Sequence, residues 1–436
     1  MDFAMLPPRH QLVEIMLRLY QQGLTTTSGG NLSIHDDDGS IWITPASIDK
    51  GGLTPDDIVR VLPDGRTEGK HAPSSELPFH RRIYHGRPDL RAIVHAHPIA
   101  LVAFSLVRQS PETRLTPQAY DICGPVGYAR YELPGSEALG MRIAEAFMAG
   151  PNLVMLENHG VAAGGATLLQ AFHRLETLEF CAQTQIHAAG LGGYHLLNDE
   201  DLALFRHLDN LLPEFAPGTR DSRELEGRRA IVDMVRRAYA RRLMTSTGGT
   251  VSLRIGDDDF LITPYGFDRK YIEPVDIVRI LDGRREAGRV PSRAVRMHRS
   301  IYAHHPDVNC VISAQPPGAI SFAVSETVPF DTRLIPETYV VLRELPAAPY
   351  GEEFTDPDNV ARMLSTTTPV VLLRNDAVLA TGTTLLQAFD RIEVAEFSAQ
   401  ALLRSRAVGV LQPIGDEDIH QLERKFFPNE EHFTAD

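Results

Sequence analysis

The sequence predicts an α/β layered fold, built twice. Three observations carry that reading. The chain has 436 residues, too many for one core when a domain usually takes about 100–150. It matches itself at an offset of 217 to 219 residues. Within each copy, helical and strand periodicities alternate along the chain. A composition of 43% hydrophobic and 23% charged residues fits a globular protein and excludes disordered, collagen-like and coiled-coil classes.

The repeat is read from colinear segments. ITPASIDKGGLTPDDIVRV from Ile43 aligns with ITPYGFDRKYIEPVDIVRI from Ile262, with 9 of 19 positions identical. TLLQAFHRLETLEF from Thr167 aligns with TLLQAFDRIEVAEF from Thr384, with 10 of 14 identical. Between them TRLTPQAY ending at Tyr120 pairs with TRLIPETY ending at Tyr339, and SGGNLS at Ser28 pairs with TGGTVS at Thr247. Two domains of about 215 residues follow, 1–215 and 222–436, joined near the charged, Pro- and Gly-containing stretch from Glu214 to Gly227.

In the first copy an amphipathic helix (QLVEIMLRLYQQ) opens the domain, and short alternating strands surround the ITP segment. The helix LPFHRRIYHGRP stops near Pro88 and leads into an apolar strand, LRAIVHAHP. A second apolar strand, NLVMLENHG, ends at Gly160 before a long helix that begins TLLQAFHRLETLEF. The second copy opens with its own helix, AIVDMVRRAYARR. Periodicity alone leaves open whether the strands run parallel.

A formal charge of -14 argues against a nucleic-acid partner, since phosphate binding calls for a basic face. No stretch approaches the roughly 20 apolar residues of a spanning helix, and the opening residues lack a signal-peptide pattern. The expectation is a cytoplasmic protein with no membrane partner. Cys123, Cys181 and Cys310 form no CxxC pair and are read as reduced core thiols.

His95 and His97 stand two apart on a predicted strand, so both imidazoles point to one side, at a chelating spacing. His159 closes the next apolar strand and can supply a third nitrogen. Three protein ligands with one position open is the pattern of a catalytic zinc site. The alternative reading is three hydrogen-bonded structural histidines. The second copy serves as an internal control. His95 becomes Ser313, His97 becomes Gln315, His159 becomes Asp376 and Glu76 becomes Ala294. Neighbouring core positions such as Ile83, Tyr84, Pro88 and Asp89 keep their counterparts. Joint loss of the four marks one functional unit, absent from the second copy.

GGNLS, ITP, PSSE, the HAHP segment and ENHG, in this order and spacing, resemble the class II aldolase/adducin family. The resemblance covers the first copy and, in degenerate form, the second. It implies three-layer αβα domains with a largely antiparallel central sheet, and a divalent metal, zinc first, with manganese, iron or cobalt as alternatives. It implies His95, His97 and His159 as ligands and Glu76 as the acid/base carboxylate. Gly30, Asn31, Ser74 and Ser75 would belong to an anion pocket for substrate. The family's Thr-Pro-Ser-Gly stretch stands here as Thr44, Pro45, Ala46 and Ser47, which departs from the pattern. A tight turn is the alternative reading of Gly29, Gly30 and Asn31.

The implied chemistry is cleavage or formation of a carbon–carbon bond in a small hydroxy-keto compound through a metal-stabilised enediolate. An epimerase, decarboxylase, dehydratase or metal oxygenase on the same ligands is the first alternative, and a non-catalytic adducin-like protein the second. Tyr120, and Tyr339 in the degenerate copy, match a tyrosine that relatives lend across an interface. That match implies a homodimer whose four domains stand in for a tetramer, with packing as the alternative role of both tyrosines. His80 and its partner His298 read as structural helix histidines, and DEDLAL near Asp199 as a solvated helix start.

Overall fold

A computed structural model describes residues 3–206, 211–325 and 327–428. The chain forms two compact units, Met1–Ile186 and His187–Asp436. Each is a sheet covered by helices, as the sequence predicts. Among the described residues no helix is long and apolar enough to cross a membrane, and all three cysteines are buried and free.

In the first unit α1 (Pro8–Gln21) precedes β1 (Asn31–His35), β2 (Ile41–Ile43), β3 (Val59–Val61) and β4 (Thr67–Glu68). Then come α2 (Leu77–Gly86), β5 (Ala92–Ala96), α3 (Ile99–Leu106), α4 (Pro117–Cys123) and β6 (Val126–Ala129). The unit ends with α5 (Glu137–Met148), β7 (Leu153–Leu156), β8 (Gly160–Gly165) and α6 (Leu168–Gly190), a helix that runs past the unit boundary. The strands order as β4-β3-β2-β1-β5-β8-β7-β6. Every pairing is antiparallel except β6 with β7.

The central strands β5, β7 and β8 are buried along their whole length. That explains their continuous apolar sequence, which gave no alternation from which to read direction. On one face Ile43, Val59, Ile93 and Val154 pack against Phe79 and Ile83 of α2 and Ile143 and Phe147 of α5. Fully burying a side chain such as Phe147 contributes about 1.5–3 kcal/mol. The fold thus sets β5 rigidly at the sheet's centre, with its C-terminal end presenting the histidine segment.

The second unit adds α7 (Asp199–Arg206) and β9 (Glu214–Phe215) before its own copy begins at α8 (Ser222–Ala240). Its strands are β10 (Thr250–Gly256), β11 (Asp259–Ile262), β12 (Val278–Leu281), β13 (Arg284–Glu286), β14 (Cys310–Ala314), β15 (Ala347–Ala348), β16 (Val370–Leu373) and β17 (Ala377–Gly382). Its remaining helices are α9 (Val295–His304), α10 (Pro317–Val324), α11 (Pro336–Leu342), α12 (Glu352–Thr355), α13 (Pro357–Met363), α14 (Leu385–Ser405) and α15 (Asp416–Phe426). The sheet order is β15-β16-β17-β14-β10-β11-β12-β13-β9. The joining stretch is structured: β9 extends this sheet in parallel with β13.

Candidate metal centre

His95 projects from β5, and the β1–β5 register sets Asn31 directly opposite it. His97 lies just beyond the strand, before Pro98, yet its ring centroid is 4.8 Å from that of His95. His159 comes from the tight turn between β7 and β8, where Asn158 takes a left-handed φ of 55°. Its ring stands 4.9 Å from each of the other two. Two glycines let the backbone come this close. A Cβ on Gly30, whose φ is +71°, would sit 2.6 Å from the His95 carbonyl oxygen, and one on Gly160 would sit 2.6 Å from that of Ala96.

One ligand atom from each of His95, His97 and His159 lies within 4.8 Å of the others. Among the described residues no other such cluster of His, Cys, Asp or Glu occurs. The His95 Nδ1–H donates to the Val161 carbonyl at 2.9 Å, so its Nε2 faces inward as a lone pair. That Nε2 lies 3.1 Å from His97 Nε2 and 3.2 Å from Glu76 Oε2. Glu76 Oε1 lies 3.7 Å from His159 Nε2 and is buried with no hydrogen-bond partner. Burial and the neighbouring imidazoles push His95 and His97 down to about 3, holding both rings neutral.

These residues fit a divalent cation. Three imidazoles and an orphaned carboxylate oxygen converge, and the His95 Nε2 lone pair faces Glu76 Oε2, acceptor against acceptor. Tetrahedral ligation with metal–nitrogen bonds of about 2.0–2.1 Å puts nitrogens roughly 3.3 Å apart. The 3.1 Å between His95 and His97 is already at that spacing.

Behind Glu76 runs a chain of buried hydrogen bonds. The Asn31 amide donates to Glu76 Oε2 at 2.6 Å, so Asn31 Oδ1 must accept from His80 Nε2–H, also at 2.6 Å. Burial holds His80 far below its usual pKa, leaving Nδ1 to accept from Ser33 at 2.6 Å. Ser33 in turn accepts from the Tyr84 hydroxyl at 2.6 Å. Every proton in this series is committed toward Glu76. His80 is a helix histidine, as the sequence suggests, and it orients Asn31. The role of Ser33, His80 and Tyr84 was not legible in the sequence because Ser252, His298 and Tyr302 preserve them in the second copy.

The remaining predicted residues fall into two groups. Thr44 is fully buried, its hydroxyl accepting from Leu32 N at 3.1 Å, as Thr263 does from Val251 N at 3.3 Å. Ser74 accepts from Glu76 N at 3.3 Å, as Ser292 does from Ala294 N at 3.3 Å. Gly30 and Gly249 both take left-handed φ. These three shape the loops of both copies. Ser47, with a φ of 57°, and Ser75 are exposed. Lys50, which the sequence did not single out, is buried with its ammonium donating to the Pro45 carbonyl at 2.7 Å; burial lowers its pKa. Tyr120 lies on α4 with the Arg114 guanidinium 5.0 Å from its ring centre. The Tyr339 hydroxyl donates to Glu423 on α15, and burial with that carboxylate pushes it up to about 12.

In the second copy Ser313 takes the strand position of His95 and pairs with His298 Nε2 at 3.2 Å. Thr250, at the position of Asn31, pairs its hydroxyl at 2.5 Å with that of Ser292, the counterpart of Ser74, while Ala294 stands where Glu76 does. Asp376 replaces His159, and burial pushes it up to about 6.

The Class II Aldolase and Adducin N-terminal domain matches the chain twice, over residues 10–186 and 229–403. The chain belongs to this family. The 5-deoxy-D-ribulose 1-phosphate aldolase of Bacillus thuringiensis serovar kurstaki is 33% identical over 198 residues, 44% of this chain and 91% of its own length. The L-fuculose phosphate aldolase of Methanocaldococcus jannaschii is 33% identical over 172 residues, 39% of this chain and 91% of its own. The 3-oxo-tetronate 4-phosphate decarboxylase of Escherichia coli K12 is 30% identical over 188 residues, 42% and 88% of the two chains. Each relative corresponds in length to one copy, and together they place the chain with the enzymes of the family.

Proposed function

We propose that the first copy is a divalent-metal-dependent carbon–carbon lyase acting on a small hydroxy-keto compound, with His95, His97 and His159 as ligands and zinc as the metal. The convergence of three imidazoles on a buried carboxylate carries this reading. A cation bound there supplies Lewis-acid polarisation of the substrate's carbonyl and hydroxyl oxygens. Glu76 moves the proton: one oxygen is held by Asn31, and the other has no partner and is free to reach a substrate atom. Asn31 therefore acts by holding Glu76 as well as by lining the pocket. The exposed hydroxyls of Ser47 and Ser75, with the Lys50 charge behind the loop, suit an anionic group on the substrate. Tyr120 and Tyr339 remain candidates for the proton at the departing aldehyde oxygen.

Decarboxylation is the second reading, favoured by the Escherichia coli relative. It breaks a different carbon–carbon bond with the same proton demand on Glu76. Assays with L-fuculose 1-phosphate, 5-deoxy-D-ribulose 1-phosphate and 3-oxo-tetronate 4-phosphate separate the two. Aldehyde release from either sugar phosphate supports the aldolase, and carbon dioxide release from the third supports the decarboxylase. Neither product from the metal-loaded protein would refute the lyase reading.

A further inference from the structure

The two copies also differ at the end of the sheet away from the histidine positions, in the turn that leads into the central strand. In the first copy the turn from α2 into β5 holds a guanidinium. Arg87, whose side chain is only 15% exposed, pairs with Asp89 through two parallel bonds, Nε to Oδ1 at 2.8 Å and Nη2 to Oδ2 at 2.7 Å. Its Nη1 donates to the carbonyls of Phe147, Gly150 and Pro151 at 2.8, 3.3 and 3.2 Å, and Nη2 also reaches Asn152 Oδ1 at 2.8 Å. The corner between this turn, the end of α5 and the start of β7 is therefore closed around a planar cation.

The second copy keeps the turn and loses the cation. The His305 N–H donates to the Ile301 carbonyl and the Val308 N–H to the His305 carbonyl, as Arg87 and Leu90 do in the first copy. Pro306 and Asp307 stand where Pro88 and Asp89 do, with His305 in the place of Arg87 and the smaller Val308 in that of Leu90. The histidine does not replace the arginine's bonds: its Nε2–H donates to the Ala361 carbonyl of α13 at 2.7 Å. Asp307 is exposed, and among the described residues its carboxylate has no partner. Between the turn, the end of α13, the start of β16 and the end of β17 lies a cavity of about 260 Å³, lined by Asp307, Val308, Leu364, Thr366 and Thr383 among others. Arg391 also reaches it, with Nη1 donating to the Thr381 carbonyl at 2.7 Å. Its counterpart Arg174 donates likewise to the Gly164 carbonyl at 2.5 Å, close enough to Arg87 to feel its charge, so this corner already accommodates a second cation in the first copy.

We propose that the cavity is a binding site for a small alkylguanidinium. The ligand's planar cation pairs with Asp307 as the Arg87 side chain pairs with Asp89, and its alkyl chain lies against Val308 and Leu364. The volume falls just below the roughly 300–1,000 Å³ of most small-molecule sites, which admits a guanidinium with a short tail and little more. A guanidinium is preferred to an ammonium because the corner that serves as template is planar and bidentate, a geometry a point charge does not match. The inference is independent of the lyase reading.

Isothermal titration calorimetry of the whole chain with agmatine tests it, with putrescine as a control that has the same carbon chain and no guanidinium. Wild type is expected to bind one agmatine with a dissociation constant on the order of 1 mM or tighter at low salt, and putrescine at least about tenfold more weakly. Asp307→Asn is expected to weaken agmatine by at least about tenfold and to leave thermal unfolding unchanged. His305→Arg supplies a tethered guanidinium, so it is expected to abolish agmatine binding and to raise the unfolding temperature. No binding by wild type, equal binding of agmatine and putrescine, or agmatine binding that both variants leave unchanged overturns the proposal.

Discussion

Glu76 accepts from Asn31 on one oxygen and presents the other, unpartnered, toward His159. Replacing it by glutamine keeps the size and removes the base. Glu76→Gln is expected to retain bound metal and lose turnover by about 10²–10⁴-fold, the usual worth of a positioned general base. Loss of metal along with activity would make Glu76 a ligand instead. The buried imidazoles also predict a pH response. Burial holds His298 down to about 3, so below its unfolded value near 6.5 the unfolded chain takes up a proton that the folded chain refuses. Stability therefore falls as pH drops from about 6.5 toward 3, by up to about 1.4 kcal/mol per pH unit for each such histidine. Urea titrations of wild type and His298→Gln between pH 7 and 5 check this: the variant should show the shallower slope. Reading single residues from sequence singled out Glu76, His95, His97 and His159, where the copies differ, and the structure brings these four together. It did not reach the hydrogen bonds that Ser33, His80 and Tyr84 make behind Glu76, because retention in both copies reads as packing.

At the scale of elements, the β1–β5 pairing positions the centre, and its turn must be glycine. Gly30→Ala is expected to cost about 1–3 kcal/mol, since alanine would be strained at a φ of +71° and its Cβ would meet the His95 carbonyl. Gly249→Ala meets only the flexible end of Met244, so its loss should be smaller. Denaturant unfolding of both variants gives the comparison, and equal losses would argue against a backbone clash at Gly30. Helices and the apolar strand β5 were legible here, from periodicity and from Pro88 as a stop, but Gly160 was misread: β7 ends at Leu156, and Gly160 opens β8 instead of closing the strand before the helix. Strand direction was not legible, because β5, β7 and β8 are buried on both faces and carry no alternation. Nor was β9, two residues whose pairing with β13 depends on distant chain.

Across the whole molecule, one fold appears twice with unequal chemistry. Self-comparison revealed both the duplication and the inequality, since the strand, turn and helix frame survives in the second copy while the positions of His95, His97 and His159 hold Ser313, Gln315 and Asp376. What self-comparison could not show is that residues 187–215 belong to the second compact unit, because packing decides that and sequence similarity does not. The central claim is a single metal centre per chain, and elemental analysis of purified, dialysed protein tests it most directly. The account predicts one divalent metal ion per 436-residue chain, falling to near zero in His95→Ala and in His97→Ala. No bound metal, two ions per chain, or an unchanged content in both variants would contradict it.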